Sequence, residues 1–370
     1  MELVVNDSRS IPNANKPGRD GPAPPLSQGL QARSLLPPMK SLFRFPWRRA
    51  AISHGVVGVV QRSDGLGLVH LTQTVGVEPP MIAHCLFQPA VLDTSRLLAE
   101  WVRRYGLEKA RFVGLLDRSH YLLFPADKPA LPREEWAINM RWKIADRIHY
   151  PPEQAVVELF DLPSQGAADK LYVAVAQERV VRSAVDLFVR ADLPLAGLDI
   201  LDLAMGRLTD HLPEDRQGLA LLYWTAAGGV VSVRRDRQLF LARAIESREP
   251  AELADALQRT FRFYENNFAQ PPLEQLFIVP MGEGCQEAGA AAPDPSVRGY
   301  EWRTEPLIAP ASGEEGEPCS HFPAALAERL GMRVQWLPLE RVLRYAPGIR
   351  EADLLCCLPA VGAALGWVER

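Results

Sequence analysis

Residues 55–72 read GVVGVVQRSDGLGLVHLT, and this stretch decides the fold. The β-branched run at Gly55–Val60 predicts a first strand, and residues 66–72 predict a second strand that returns beside it. The polar, glycine-containing segment 61–65 between them is typical of a tight turn. The ordered part of the chain is therefore expected to begin with a β-hairpin.

The same pattern recurs in the second half of the chain. Residues 218–233 and 238–245 repeat the hairpin pattern. Residues 251–268 then predict a helix, because their apolar side chains recur at helical spacing. Two hairpin-then-helix halves indicate a duplicated α/β architecture.

A smaller unit of strands and one helix separates the two halves. Pro132 opens the helix. Four of its apolar side chains fall four residues apart, namely Trp136, Met140, Ile144 and Ile148. This spacing predicts a core-facing stripe, which Ile138 and Trp142 are expected to widen. The prolines at 151–152 are expected to end the helix.

The first residues differ from the rest of the chain. Residues 1–38 are rich in Pro, Gly, Asn and Ser and predict a disordered tail without a secretory signal, and either Met1 or Met39 could be the start. A basic, aromatic patch follows at 40–49. Its cations and ring suit peripheral contact with an anionic membrane, and a solvated leader is the alternative. The membrane candidates are Arg44, Trp47, Arg48 and Arg49.

These patterns divide the chain into segments. The predicted divisions are a leader at 1–49, the start of a first lobe at 50–112, an inserted subdomain at 113–190, a return to the first lobe at 191–217, a second lobe at 218–340 with a low-complexity loop at 281–323, and a closing segment at 341–370.

Composition and motifs exclude several functions. A net charge of -4 gives no general attraction for nucleic acid. The five cysteines are an odd number without Cys-x-x-Cys spacing, which favours a reducing cytoplasm. The sequence has no P-loop, no Gly-x-Ser-x-Gly and no His-Glu-x-x-His, and its histidines are scattered. We therefore predict no catalytic residue and no metal site.

Four segments carry a resemblance to a known family. They are 142–158 (WKIADRIHYPPEQAVVE), 171–176, 257–265 and 360–365. In their order they resemble the PilM family of type IV pilus assembly proteins, and residues 160–163 and 267–272 resemble its MSHA pilus biogenesis branch, MshI. The resemblance covers about residues 50–370. It implies an actin-like, ribonuclease H-like fold, with two lobes around a nucleotide cleft and an inserted small subdomain.

The resemblance also identifies the positions where nucleotide would bind. Actin-like ATPases need an aspartate at each of two hairpin turns, to position a metal ion beside phosphate. Here Val59-Val60-Gln61 and Tyr223-Trp224-Thr225 stand where Asp-Ile-Gly is expected, so we expect no hydrolysis. The remaining loop candidates are Ser63, Asp64, Gly65, Gly228, Gly229, Gly282 and Gly284. We predict no cofactor and leave residual ATP binding open.

The resemblance further implies a non-enzymatic cytoplasmic adaptor. It would capture the cytoplasmic tail of a PilN-like inner-membrane protein and link the pilus platform to the assembly ATPase. An apolar groove beside a basic helix face suits such capture, although the face could also be plain core and solvent. The candidates are Arg141, Trp142, Lys143, Arg147 and His149, the last of which could instead be a simple helix-end residue.

Two other functions stay open. One is an active ATPase of the same fold, whose affinity for partners changes with nucleotide. The other is the cytoplasmic domain of an L-type protein of type II secretion. That family has a membrane helix after the domain. Because this sequence ends at Arg370, we expect the missing helix to distinguish this chain from an L-type protein.

Overall fold

The structure is a computed structural model that describes residues 55–72, 80–163, 170–225, 228–245, 250–279 and 321–368. The leader 1–49 with its four membrane candidates lies outside these ranges, as do Gly282, Gly284 and most of the predicted loop 281–323.

Fourteen strands and eight helices lie in the described ranges. The strands are β1 (Val56–Arg62), β2 (Gly65–Thr72), β3 (Met81–Pro89), β4 (Arg111–Leu116), β5 (Tyr121–Asp127), β6 (Ala155–Asp161), β7 (Lys170–Gln177), β8 (Leu195–Ile200), β9 (Leu219–Thr225), β10 (Gly228–Arg235), β11 (Gln238–Ile245), β12 (Gln275–Ile278), β13 (Arg333–Trp336) and β14 (Arg344–Tyr345). The helices are α1 (Thr94–Tyr105), α2 (Arg133–Lys143), α3 (Glu178–Arg190), α4 (Leu201–Arg207), α5 (Pro250–Phe268), α6 (His321–Leu330), α7 (Leu339–Val342) and α8 (Glu351–Val368). Because α6 begins at His321, the last residues of the predicted loop are helical.

Two sheets share one arrangement. The first has the order β14-β3-β2-β1-β4-β8, and the second has the order β11-β10-β9-β12-β13. In each half the first three strands pair antiparallel, the fourth strand pairs in parallel with the first, and the fifth pairs in parallel with the fourth. Apart from the short edge strand β14, both halves have the strand order third, second, first, fourth, fifth. The predicted duplication is therefore confirmed.

The inserted subdomain is smaller than predicted. It is a separate three-stranded sheet, β5-β7-β6, with α2 packed on it. The predicted bounds 113–190 are wrong at both ends, because β4 pairs in parallel with β1 inside the first sheet and α3 packs against α1 and β4. The insert therefore comprises residues 121–177.

Helix α2 is also shorter than predicted. It ends at Lys143, and Ile144 caps it before the chain reaches the prolines at 151–152. Met140, Ile144 and Ile148 are buried as expected. The expectation that Ile138 and Trp142 widen this apolar face is wrong, since they are 61% and 56% exposed. Two residues along a helix amount to about 200° of rotation, which places them on the opposite side from Met140.

Helix α8 returns from the end of the chain to the first sheet. A Cβ atom at Gly58 of β1 would collide with the carbonyl oxygen of Ala360, so helix and strand approach at backbone distance. The helix spans 351–368 and contains Pro359. By length and composition α8 could cross a membrane, but 61% of its apolar window is buried within the protein, which is typical of a core helix.

A second close approach links α8 to α4. A Cβ atom at Gly362 would collide with the carbonyl group of Ala204, which belongs to the backbone of α4. One turn later, a Cβ atom at Gly366 would meet only the guanidinium group of Arg207, the far end of a flexible side chain.

These two glycines provide a matched test of the crossing. We expect Gly362→Ala to lower the free energy of unfolding by about 1–3 kcal/mol, because a backbone carbonyl cannot move aside. Gly366→Ala should cost clearly less, since the Arg207 side chain can rotate. Chemical denaturation of both variants would measure this, and equal losses would contradict the backbone contact.

Candidate functional site

The first predicted phosphate loop is the turn between β1 and β2. Asp64 lies in this turn and is buried, and its two carboxylate oxygens accept hydrogen bonds from Nε and Nη2 of Arg62, both at 2.7 Å. A Cβ atom at Gly65 would collide with the carbonyl oxygen of Gln88 in β3. Ser63 alone of the three candidates is exposed. The carboxylate of Asp64 therefore holds the hairpin together through Arg62.

The positions expected to carry the first aspartate motif are occupied by other groups. Val59 and Val60 are buried in the core of the first sheet. Gln61 is exposed, and its Nε2 donates a hydrogen bond to Oγ1 of Thr94 at 3.4 Å, at the start of α1. This part of the hairpin offers an amide and a hydroxyl, which are poor substitutes for a carboxylate beside a metal ion.

The second predicted loop is the turn between β9 and β10. Gly229 lies opposite Trp224, and Gly228 lies opposite Thr225, so both candidate glycines begin β10. Residues 226–227 and the side chains of Trp224 and Thr225 lie outside the part that the structure describes. The first loop and part of the second are thus described, whereas the third, at 282–284, is not.

The sequence analysis missed one acidic residue at the centre of the molecule, Asp202. It lies in the first turn of α4 and is 2% exposed. Its Oδ2 accepts a short hydrogen bond from the hydroxyl of Tyr121, and Nε of Arg118 lies 3.5 Å from the same oxygen. The backbone N–H of Asp202 donates to the Tyr121 hydroxyl at 3.2 Å. This cluster joins the entrance of the insert to α4.

Burial dominates the electrostatics of this cluster. It raises the pKa of the Asp202 carboxyl above its ordinary value, although Arg118 and the Tyr121 hydroxyl act in the opposite direction. Burial likewise raises the pKa of Tyr121 well above its usual range, and the neighbouring carboxylate adds to the effect. Asp202 is therefore a carboxyl group whose charge is costly to keep.

The predicted partner residues lie at one end of α2 and just beyond it. Trp142, Lys143, Arg147 and His149 are exposed, and Arg141 is half-buried. Trp142 and Ile138 lie four residues apart on one helix face, so they form an exposed apolar pair. The guanidinium carbon of Arg147 lies 4.7 Å from the centre of the Phe124 ring. We call Ile138, Trp142, Lys143, Arg147 and His149 the α2 surface.

The α2 surface faces away from the two lobes. Along β7, Leu171, Val173 and Val175 pack in the core that contains α2, whereas Tyr172 and Ala174 belong to the cores of the lobes. Side chains alternate between the two faces of a strand. The three-stranded sheet therefore lies between α2 and the rest of the molecule.

A separate cleft opens between the insert, α4 and the turn joining β10 to β11. Its volume is about 1230 Å³ and its lining contains arginines and acids in equal number. Three of the arginines pair with acids of the same lining, namely Arg133 with Asp161, Arg207 with Asp199 and Arg234 with Asp210. The residues of the α2 surface are not among the described residues that line it. Balanced charges give this cleft no general preference for an anion.

Among the residues that the structure describes, no group of three or more His, Cys, Asp or Glu side chains is placed to hold a metal ion.

Comparisons with known proteins give a fold but no sequence family. No protein-family model matches this chain, and no curated protein sequence matches it. Among solved structures, the PilM-PilN type IV pilus biogenesis complex contains a chain that is 16% identical, with a TM-score of 0.59, covering 85% of this chain and 99% of that one.

Two further structures match less well. The cytoplasmic domain of EpsL, an inner-membrane component of the type II secretion system of Vibrio cholerae, is 15% identical, with a TM-score of 0.42, covering 74% of this chain and 93% of that one. A Bacteroides thetaiotaomicron protein with an actin-like ATPase fold is 8% identical, with a TM-score of 0.42, covering 83% of this chain and 96% of that one. With the repeated strand order, the similarity to the pilus protein confirms the predicted actin-like fold.

The raised pKa of Asp202 predicts a pH dependence of stability. The folded state holds this proton more tightly than the unfolded state, whose carboxyl titrates near the ordinary value of 3.8. The contribution of Asp202 to the free energy of unfolding therefore falls as the pH rises from there through the folded pKa, by at most about 1.4 kcal/mol per pH unit.

Asp202→Asn isolates this contribution, because the amide does not titrate. We expect the stability of the wild type relative to Asp202→Asn to fall with rising pH in the acidic range and then to level off. Urea unfolding of both proteins between about pH 4 and about pH 8 would measure it. Asp186→Asn, on the exposed side of α3, is the control. A relative stability that rises with pH would mean that Arg118 outweighs burial.

Proposed function

We propose that this chain is a non-enzymatic adaptor of a type IV pilus assembly platform, which captures the cytoplasmic tail of a PilN-like inner-membrane protein. The observation that carries the proposal is the exposed pair of Trp142 and Ile138, at 56% and 61% exposure, on a fold similar to the pilus protein. That relative is described in complex with PilN.

The α2 surface has the chemistry that peptide capture requires. A solvent-exposed tryptophan beside a second apolar side chain can bury a large apolar area when a partner side chain packs on it. Lys143 and Arg147 are exposed next to this pair and would attract acidic groups of an extended tail. Tryptophan and arginine are also the side chains that most often dominate binding energy.

The finer assignment within this proposal is an MSHA-type pilus. It rests on the resemblance of residues 160–163 and 267–272 to the MshI branch. In this role the protein is cytoplasmic and peripheral to the inner membrane, where Arg44, Trp47, Arg48 and Arg49 would add contact with anionic lipid. Its further partners would be the platform and the assembly ATPase, and nucleic acid is not expected to bind.

Loss of ATPase activity is the second part of the proposal. The carboxylate of Asp64 is engaged by Arg62, and the expected aspartate position carries Val59, which has no polar side chain. An active ATPase and an L-type secretion domain remain the alternatives, and the titrations below distinguish them.

The partner proposal predicts a specific loss of affinity in Trp142→Ala. We expect the wild type to bind a synthetic peptide of the cytoplasmic tail of the neighbouring PilN-like subunit, and the variant to bind it about thirtyfold more weakly. Calorimetric titration measures both constants. The loss should occur without a change in cooperative unfolding, because the Trp142 side chain is largely in solvent.

Phe263→Ala is the matched control, since Phe263 is an aromatic side chain 46% exposed on α5, outside the insert. It should bind the peptide like the wild type. Equal losses in the two variants would argue against the α2 surface, and absence of peptide binding by the wild type would remove the adaptor proposal. Binding of a type II secretion peptide instead would favour the L-type alternative.

The proposed lack of ATPase activity predicts that magnesium-ATP neither binds nor changes the affinity for the peptide. We expect no saturable heat on titration with magnesium-ATP, no turnover above a buffer control, and the same peptide affinity with and without nucleotide. Peptide binding that appears only with ATP would mean that the degenerate loops still work.

A further inference from the structure

A small cavity lies between α4 and the second sheet. Its volume is about 10 Å³. The lining consists of Leu201, Asp202 and Met205 from α4, and Leu221, Tyr223, Val230 and Ser232 from β9 and β10. This volume is at the lower limit for one water molecule and excludes anything larger.

One buried polar atom at this cavity has no protein donor. Oδ1 of Asp202 is fully shielded from solvent and accepts no hydrogen bond from the described residues, whereas Oδ2 accepts one from Tyr121. Buried carboxylate oxygens normally accept a hydrogen bond, because a buried oxygen without one has lost its hydration and gained nothing in return. Ser232, on the opposite wall of the cavity, is 3% exposed and carries a hydroxyl group.

The charges around the cavity decide what it can hold. Arg118 already lies 3.5 Å from the other oxygen of Asp202, so a metal ion or ammonium would be repelled by a neighbouring cation. An anion would be repelled by the carboxylate of Asp202. A water molecule can donate one hydrogen bond to Asp202 and form a second one with the hydroxyl of Ser232. It also fits the volume of the cavity.

We propose that one ordered water molecule occupies this cavity, donates a hydrogen bond to Oδ1 of Asp202 and pairs with the hydroxyl of Ser232. The water joins α4 to β10. Because Tyr121 holds the other oxygen, the same carboxylate connects the insert, α4 and the second lobe. Asp202 is therefore a positioning residue at the junction of three parts of the protein.

A crystal structure at a resolution that orders buried water tests the proposal directly. We expect a density peak about 2.7–3.0 Å from Oδ1 of Asp202 and within hydrogen-bonding distance of Oγ of Ser232. An empty cavity, or a protein donor turned onto Oδ1, overturns the proposal.

The sign of a stability change gives a second, independent test. Val230→Ile adds one methylene at the cavity and removes no polar group. If water fills the cavity, the substitution expels it, so the melting temperature falls and the density peak disappears. If the cavity is dry, filling it raises the melting temperature, which would overturn the proposal.

Val231→Ile is the matched control. Val231 is the next residue of β10, points to the opposite face and packs in the core of the second lobe. It measures the general cost of one extra methylene in this strand. The proposal requires a larger fall in melting temperature in Val230→Ile than in Val231→Ile, together with the peak in the wild-type crystal. A wild-type crystal without the peak overturns it whatever the two melting temperatures are.

Discussion

The backbone contact between α4 and α8 is the constraint on which the architecture depends. Gly362 lets α8 rest on the carbonyl group of Ala204, and Gly206, on α4 itself, leaves room for the guanidinium group of Arg234 from β10. Asp210 pairs with that guanidinium. A helix of only seven residues thus touches a helix of the first lobe and a strand of the second. A larger side chain at either glycine would separate one lobe from α4.

The buried charges around α4 contribute to a unique arrangement more than to stability. Removing two opposite charges from water costs several kcal/mol per ion, and their attraction often only offsets this cost, so apolar residues could stabilise the same junction equally well. Apolar packing, however, tolerates rotation and sliding. The Tyr121 hydroxyl, which accepts from the backbone of Asp202 and donates to its carboxylate, fixes both distance and direction. Tyr172 fixes the insert in the same way, through a 3.0 Å hydrogen bond to the carbonyl oxygen of Phe240 in β11.

Local patterns were readable from the sequence, and distant pairings were not. The two hairpins and the duplication follow from β-branched runs of a few residues and the turns between them, as at Val56–Arg62. The bounds of the insert depend on the parallel pairing of β4 with β1, which no local pattern reveals. Asp202 was missed because its partner Tyr121 lies 81 residues away. Trp142 was named as a partner candidate but was also expected to widen the core-facing stripe, because apolar side chains usually pack in the core. Its spacing of two from Met140 already placed it on the other face of α2.

The two faces of the inserted sheet separate the α2 surface from the two lobes. Alternate residues of β7 pack against α2 on one side and against the lobes on the other, so α2 is separated from the lobes by a full layer of sheet. A ligand on the α2 surface would meet side chains that make no contribution to the junction at Asp202. Coupling between the two would require the sheet itself to shift, against the hydrogen bonds of Tyr121 and Tyr172. The geometry therefore favours a fixed platform, in which the insert presents α2 while the lobes keep it in place.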